Sequence, residues 1–287
     1  MRFHACLAAV VVSGVAALTH PARADDVREG LRVREDIGNV WRLSVVSDYV
    51  ARGLSQTWGK PAGQFRFDHV NAGGWHAGVF VSGVSRDLYP GADAVVELHG
   101  GQSWAAPADW RIVADAIYSL YPGANWSNAL CARVGGCPSQ TFDTGQVRLQ
   151  AVGSRWTAGV SYALSDYFGR TPRTGYAGGT QGTTYWEIDY GADAIGLARW
   201  RWSLHAGYTH VAARSLDATG ATRSADTYDW SVGFERAVQV MSQDARWGLT
   251  YTQTFNHGQY DHTPSLVSSS TYSIGRPALV AALSLAY

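Results

Sequence analysis

Twelve stretches of period-two alternation, connections that alternate long and short, and an apolar final strand ending on Tyr287 predict an all-β fold. The expected form is a transmembrane antiparallel up-and-down β-barrel of about 12 strands, with N- and C-termini periplasmic. Alternating apolar and polar residues give a strand one greasy and one wet face. Closing the sheet removes the edges that lipid cannot satisfy. Short turns at one end and long loops at the other distinguish such a barrel from a soluble sandwich.

The chain opens with Met1-Arg-Phe-His4, an apolar run Leu7–Leu18, and Pro21-Ala-Arg-Ala24 before Asp25. This three-part pattern predicts a secretory signal peptide over residues 1–24. The run is too short for a membrane helix, which needs roughly 20 apolar residues. Residues 25–39 are charged and aperiodic, and are expected to form a periplasmic tail before a barrel over 40–287.

In the first strand, Trp41, Leu43, Val45, Ser47, Tyr49 and Ala51 alternate with Arg42, Ser44, Val46, Asp48, Val50 and Arg52. Phe65 and Phe67 then oppose Gln64, Arg66 and Asp68, and Trp75, Ala77, Val79 and Val81 oppose His76, Gly78, Phe80 and Ser82. Ala94, Val96 and Leu98 oppose Glu97 and His99, while Trp110, Ile112, Ala114 and Tyr118 oppose Arg111, Val113, Asp115 and Ser119. Val147, Leu149 and Ala151 oppose Gln146, Arg148 and Gln150, and Trp156, Val160 and Tyr162 oppose Thr157, Gly159 and Ser161. Trp186, Ile188 and Tyr190 oppose Glu187 and Asp189, and Trp202, Leu204 and Tyr208 oppose Arg201, Ser203 and His205. Tyr228, Trp230, Val232 and Phe234 oppose Asp229, Ser231 and Glu235, and Trp247, Leu249 and Tyr251 oppose Gly248, Thr250 and Thr252. Leu279 to Tyr287 completes the set, with the larger apolar residues on its odd positions.

The long connections are Gly53–Ala62, Val84–Ala92, Pro122–Thr141, Asp166–Thr183, Val211–Asp226 and Thr254–Gly275. The short ones are Asn71–Gly74, Ala105–Asp109, Gly153–Arg155 and Asp193–Ala198; Arg236–Arg246 is longer. Trp41, Trp75, Trp110, Trp156, Trp202 and Trp247 open strands beside the short turns, and Tyr287 closes the last strand at the same end. They are expected to form an interfacial aromatic girdle.

Composition agrees with strands in lipid. Hydrophobic residues make up 46% and charged residues only 16%, below the usual quarter. Formal net charge is zero, so nothing suggests a nucleic-acid surface. Outside the predicted signal, only Cys131 and Cys137 remain. An exported chain meets an oxidising compartment, which favours a disulfide between them over a metal pair, since no histidine sits beside them.

The stretch Ser47-Asp-Tyr-Val-Ala-Arg-Gly-Leu-Ser-Gln-Thr57, followed by Lys60-Pro-Ala62, resembles the opening motif of the TorF-family porins, also described as the Gcw_chp domain of proteobacteria. The resemblance continues through Gly74-Trp-His-Ala-Gly78, Val96-Glu-Leu98, Tyr121-Pro-Gly-Ala124, Tyr162 to Gly169 and Tyr228-Asp-Trp-Ser-Val-Gly233. It departs at His99, where a second acidic residue is expected after Glu97, and in the Cys131–Cys137 loop. The resemblance implies an outer-membrane barrel with a channel role, and no particular solute.

If the apolar faces meet lipid, the polar faces line the lumen. The expected lining is Arg42, Asp48, Arg52, Arg66, Asp68, His76, Glu97, His99, Arg111, Asp115, Arg148, Glu187, Asp189, Arg201, His205, Asp229 and Glu235. Charges so placed can act as selective ladders or simply pair across strands. Pairing is the expectation for most. Asp48 and Arg52 are about 13 Å apart on one strand at roughly 3.3 Å per residue. Each is therefore expected to look to a neighbouring strand, Arg66 or Asp68 being the candidates. A twelve-stranded barrel lies between filled and open sizes. A long loop such as Pro122–Thr141 folding inward would leave a narrow channel for small hydrophilic solutes.

Two other classes compete with the channel: an outer-membrane barrel enzyme acting on lipid, and a plugged structural or adhesive barrel. No Gly-x-Ser-x-Gly elbow occurs, and no spacing suggests a triad. Glu187-x-Asp189 and Glu97-x-His99 could hold a cation, but neither is a full ligand set, so no cofactor is expected. The expected partners are outer-membrane lipid, the assembly machinery acting on the C-terminal strand 279–287, small polar solutes and, in a homo-oligomer, further copies of the chain.

Overall fold

The computed structural model describes residues 38–131, 136–195, 197, 199–216, 219–240, 243–255 and 260–286. Twelve strands close into one antiparallel barrel. They are β1 (Gly38–Val46), β2 (Ala62–Val70), β3 (Trp75–Gly83), β4 (Ala94–Ala106), β5 (Trp110–Leu120) and β6 (Thr144–Val152). These continue into β7 (Trp156–Ala163), β8 (Thr184–Asp193), β9 (Trp200–His210), β10 (Thr227–Val240), β11 (Gln243–Phe255) and β12 (Ala278–Ala286). Each strand pairs with its sequence neighbours, and β12 closes on β1 through the register Arg42↔Ala286 to Val46↔Ala282. At that seam the Ser44 and Ser284 hydroxyls lie 2.9 Å apart. A wall strand with two partners needs its backbone N–H groups, which proline lacks; among the described residues, no proline falls in a wall strand.

The burial pattern is the inverse of a soluble protein. Val45, Trp75 and Leu279 are each more than 60% exposed, whereas Ser82, Thr157 and Thr250 are almost completely buried. An exterior this apolar suits hydrocarbon rather than water. The small inward side chains leave space that longer polar groups from neighbouring strands fill.

Three boundaries differ from the sequence expectations. The first strand is not Trp41–Arg52: it starts at Gly38, within the expected tail, and ends at Val46. The Arg236–Arg246 connection largely disappears, because β10 and β11 remain paired out to Val240↔Gln243. Both strands continue well past the last residues of clear alternation. The predicted signal peptide, the rest of the expected tail and Tyr287 lie outside the described residues.

The long connections pack on one another over one end of the barrel. Tyr89, Ala92, Tyr121, Ala124 and Phe142 form a buried cluster with Phe80, supported by Tyr49, Trp126, Phe168 and Leu266. The Tyr89 and Tyr121 rings stack at 4.2 Å. The disulfide Cys131–Cys137 forms in the connection after β5, with a Cα–Cα distance of 5.1 Å.

Candidate functional site: a lumen crossed by the first connection

The stretch read as the outer half of the first strand is a separate hairpin. Val50–Ala51 pairs with Leu54–Ser55. The two residues between them, Arg52 and Gly53, both have positive φ, 52° and 72°. Positive φ at both central positions is the signature of a type I′ turn. The flanking motif residues clasp the hairpin. Asp48 accepts hydrogen bonds from the Ser55 and Thr57 hydroxyls, each at 2.6 Å. Tyr49 N–H donates to Thr57 Oγ1 at 3.0 Å, and Gln56 N–H donates to the Tyr49 carbonyl at 2.7 Å. The two arms are thus tied together by side chains as well as backbone.

The tip of this hairpin spans the lumen. The Gly53 carbonyl accepts from Thr254 of β11 at 2.6 Å. A Cβ at Gly53 would collide with Thr254 and with Asp229 of β10. Arg52 reaches the other way: Nη2 donates to Gln146 of β6 at 2.6 Å, and Nη1 to the Tyr167 hydroxyl at 2.6 Å. Its guanidinium also lies 4.6 Å from the ring centre of Tyr185 on β8. Strands β11 and β6 stand nearly opposite in the barrel order, so one turn is braced against two sides of the wall. Arg66 and Asp68 are therefore not the partners of Asp48 and Arg52. Extended geometry predicted neighbouring-strand contacts, and the turn at 52–53 removes that geometry. The inward element is this first connection; the Pro122–Thr141 stretch packs among the other long connections instead.

Around the hairpin, the wall side chains form a paired network. Asp68 accepts from Arg66 Nε at 2.7 Å and meets His99 Nε2 at 2.7 Å. Asp115 meets His76 and accepts from Arg148 Nη2 at 3.0 Å. Gln150 donates to Glu187 at 3.2 Å. His205 faces Asp189 through Nδ1 at 2.6 Å, and Asp229 through Nε2 at 3.0 Å, with the Tyr185 hydroxyl at 2.9 Å. Glu235 stands 3.9 Å from Arg201 and 3.6 Å from Arg246. Glu97 accepts from Ser119 at 3.3 Å. Buried charges need such partners, because removal from water is otherwise costly. None of the seventeen expected lining residues is exposed. Arg111 keeps a buried Nε without a hydrogen-bond partner.

Many of these contacts skip a strand, and glycine makes that reach feasible. Neighbouring strands lie about 4.8 Å apart, so alternate strands are roughly twice that. Gly78 stands in register between Asp68 and His99, and Gly101 between His76 and Asp115. Gly159 likewise separates Gln150 from Glu187, and Gly233 separates Ser203 from Thr250. A Cβ at any of them would intrude on one or both flanking side chains. This arrangement was missed in the sequence, although an inward glycine set between polar positions was its visible sign. Tyr185, Tyr167 and Arg170 were missed for another reason: no periodicity marks a loop residue or an inward tyrosine as a lumen group.

Glu187, Asp189 and His205 place ligand-type atoms within 4.8 Å of one another. The Glu187-x-Asp189 pair thereby gains a histidine that spacing did not indicate. Both His205 nitrogens, however, already face carboxylates.

The aromatic residues mark the short-turn end. Trp41, Trp75 and Trp156 are exposed, while Trp110, Trp202 and Trp247 are partly covered. Trp156, Tyr190 and Trp202 form a chain of ring contacts at 4.6 and 5.1 Å. Trp200, which the sequence reading passed over, packs on Trp247 at 5.1 Å.

A family model described as a bacterial protein of unknown function (Gcw_chp) matches residues 39–283. No curated protein matches the chain. Among solved structures, it is similar to OprD from Pseudomonas aeruginosa at 10% identity and a TM-score of 0.38, covering 87% of this chain and 65% of that one. It is similar to OccAB1 from Acinetobacter baumannii at 12% identity and a TM-score of 0.41, covering 84% and 59%. A structure from a study of the in-meso crystallization of membrane proteins gives 8% identity, a TM-score of 0.47, and coverage of 87% and 83%.

Proposed function

The chain belongs to the Gcw_chp family of bacterial proteins, and from that premise we propose that it is a porin-like channel of the outer membrane, of the TorF type, passing small hydrophilic solutes. In this reading the termini and short turns face the periplasm, the tryptophans at that end form an interfacial girdle, and the long connections face outward. The seventeen charged and histidine residues named above line the path, with Arg52 at its narrowest part. The supporting observation is the closed barrel, apolar outside and polar inside, whose first connection turns into the lumen. A hairpin braced on two walls narrows the passage while the barrel carries the membrane contact.

The same hairpin supports a second reading, an occluded barrel with a structural role. Single-channel recording in planar bilayers distinguishes the two, comparing refolded wild type with a variant lacking residues 48–59. The channel reading expects small steady openings from wild type and a several-fold larger conductance from the deletion. Silence from wild type with current from the deletion supports the occluded barrel. Silence from both, in protein that retains heat-modifiable mobility, sinks the channel.

A further inference from the structure

Between the hairpin tip and the outer connections lies a cavity of about 80 Å³. Arg52 and Arg170 both line it. Their guanidinium carbons each lie 5.4 Å from the centre of the Tyr167 ring, so two like charges share one aromatic neighbour. Arg52 is 8% exposed. Its partners are the Tyr167 hydroxyl, the Gln146 amide and the Tyr167 and Tyr185 rings, all uncharged. Its Nε is buried with no hydrogen-bond partner. Arg170 is surrounded by phenols in the same way, lying against Tyr167 and Tyr260. Neither arginine forms an ion pair among the described residues.

This departs from the paired stretches of the interior, where Asp68, Asp115 and Glu235 each have a cationic partner and His205 has two carboxylates. Two desolvated cations held close together with no acidic group in contact with either are costly. Glu97 is the single acidic side chain of the lining, and its hydrogen bond is to Ser119. The cavity therefore carries an excess of one positive charge. Its volume is far below the roughly 300–1,000 Å³ of drug-sized sites, so it suits a small ion.

We propose that this cavity binds a small carboxylate anion, with Arg52 and Arg170 as its charge partners and the surrounding phenol hydroxyls as further donors. The inference rests on the channel reading in so far as the site lies on the solute path, and it gives that path a preferred substrate class. A guanidinium matches a carboxylate in shape and charge. Tyrosine hydroxyls and amides that already hold the arginines keep them oriented while the anion exchanges.

The test is saturation-transfer NMR on the refolded full chain in detergent, with acetate as probe and acetamide as its uncharged counterpart. The expected result is saturable transfer to acetate and not to acetamide, with Arg52→Gln and Arg170→Gln each weakening acetate binding at least five-fold. Equal transfer to acetate and acetamide overturns the proposal. So does wild-type acetate saturation in both variants. Arg170 sits on an outer connection and Arg52 on the hairpin, so one variant failing to refold leaves the other to decide. Bilayer current from wild type separates the two readings. Current without acetate saturation overturns the subsite alone, and acetate saturation without current overturns the channel and retains the subsite.

Discussion

Gly53 shows how much one residue decides in this molecule. Its left-handed φ and the collision awaiting any Cβ predict that Gly53→Ala cannot keep the hairpin tip against Asp229 and Thr254. The substitution is expected to cost about 1–3 kcal/mol locally and to raise single-channel conductance as the tip withdraws. An unchanged conductance in folded Gly53→Ala protein would exclude the tip as the constriction. Asp87 acts at the long-connection end. Burial alone would raise its carboxyl, but hydrogen bonds from Ser265 and Ser85 and the Lys60 ammonium outweigh it and hold Asp87 below the usual carboxylate range. These bonds, with Leu266 N–H donating to the Asp87 carbonyl at 2.8 Å, join three connections. A depressed value means that the contribution is complete at neutral pH and fades as pH falls through it, below about 4. Hydrogen exchange at Leu266 should therefore quicken on acidification relative to its intrinsic rate. In Asp87→Asn the protection should already be low at pH 7 and vary little below it.

At the scale of elements, the hairpin and the glycine-spaced wall serve different ends. The hairpin is held by its own clasp of Asp48, Ser55 and Thr57 and by the wall groups it meets. The wall network depends on neighbouring strands leaving room. Gly101→Ala places a methyl between His76 and Asp115 and against the Ala114 carbonyl. Overpacking of this kind costs about 1–3 kcal/mol, and it also separates a buried pair. The denaturant midpoint of the refolded barrel is expected to fall, with the transition remaining single. The same substitution at Gly63, whose added Cβ meets nothing within 4 Å, should leave the midpoint close to wild type. Equal effects at the two positions would show that strand propensity, rather than cross-strand reach, governs these glycines.

For the whole molecule, the decisive property is the inversion of its faces. Apolar side chains stand outward around a closed wall, and charges pair within it. The paired interior fits the pairing expectation better than uninterrupted ladders of one sign. Arg52 and Arg170 stand apart from that pairing, two cations against one tyrosine ring beside the hairpin tip. Under a salt gradient, the wild-type reversal potential should consequently favour anions. Arg52→Gln should move it toward zero, and a cation preference in the wild type would contradict the assignment of these two residues to the path.

The sequence by itself determined the wall. Period-two alternation and connection lengths give strand number, antiparallel order and the face each wall residue presents, because those properties repeat locally and every strand obeys the same pleat. It also paired Cys131 with Cys137, since an exported chain meets an oxidising compartment and no histidine beside them favours a metal. Only the tertiary structure decided what crosses the lumen. Alternation from Ser47 to Arg52 reads the same whether those residues extend the wall or begin a hairpin. The choice rests on Thr254, Asp229, Gln146 and Tyr167, far away in sequence, receiving its tip. Likewise, no spacing announces that His205 joins Glu187 and Asp189, or that Arg170 joins Arg52, because barrel closure brings together residues whose separation along the chain carries no period.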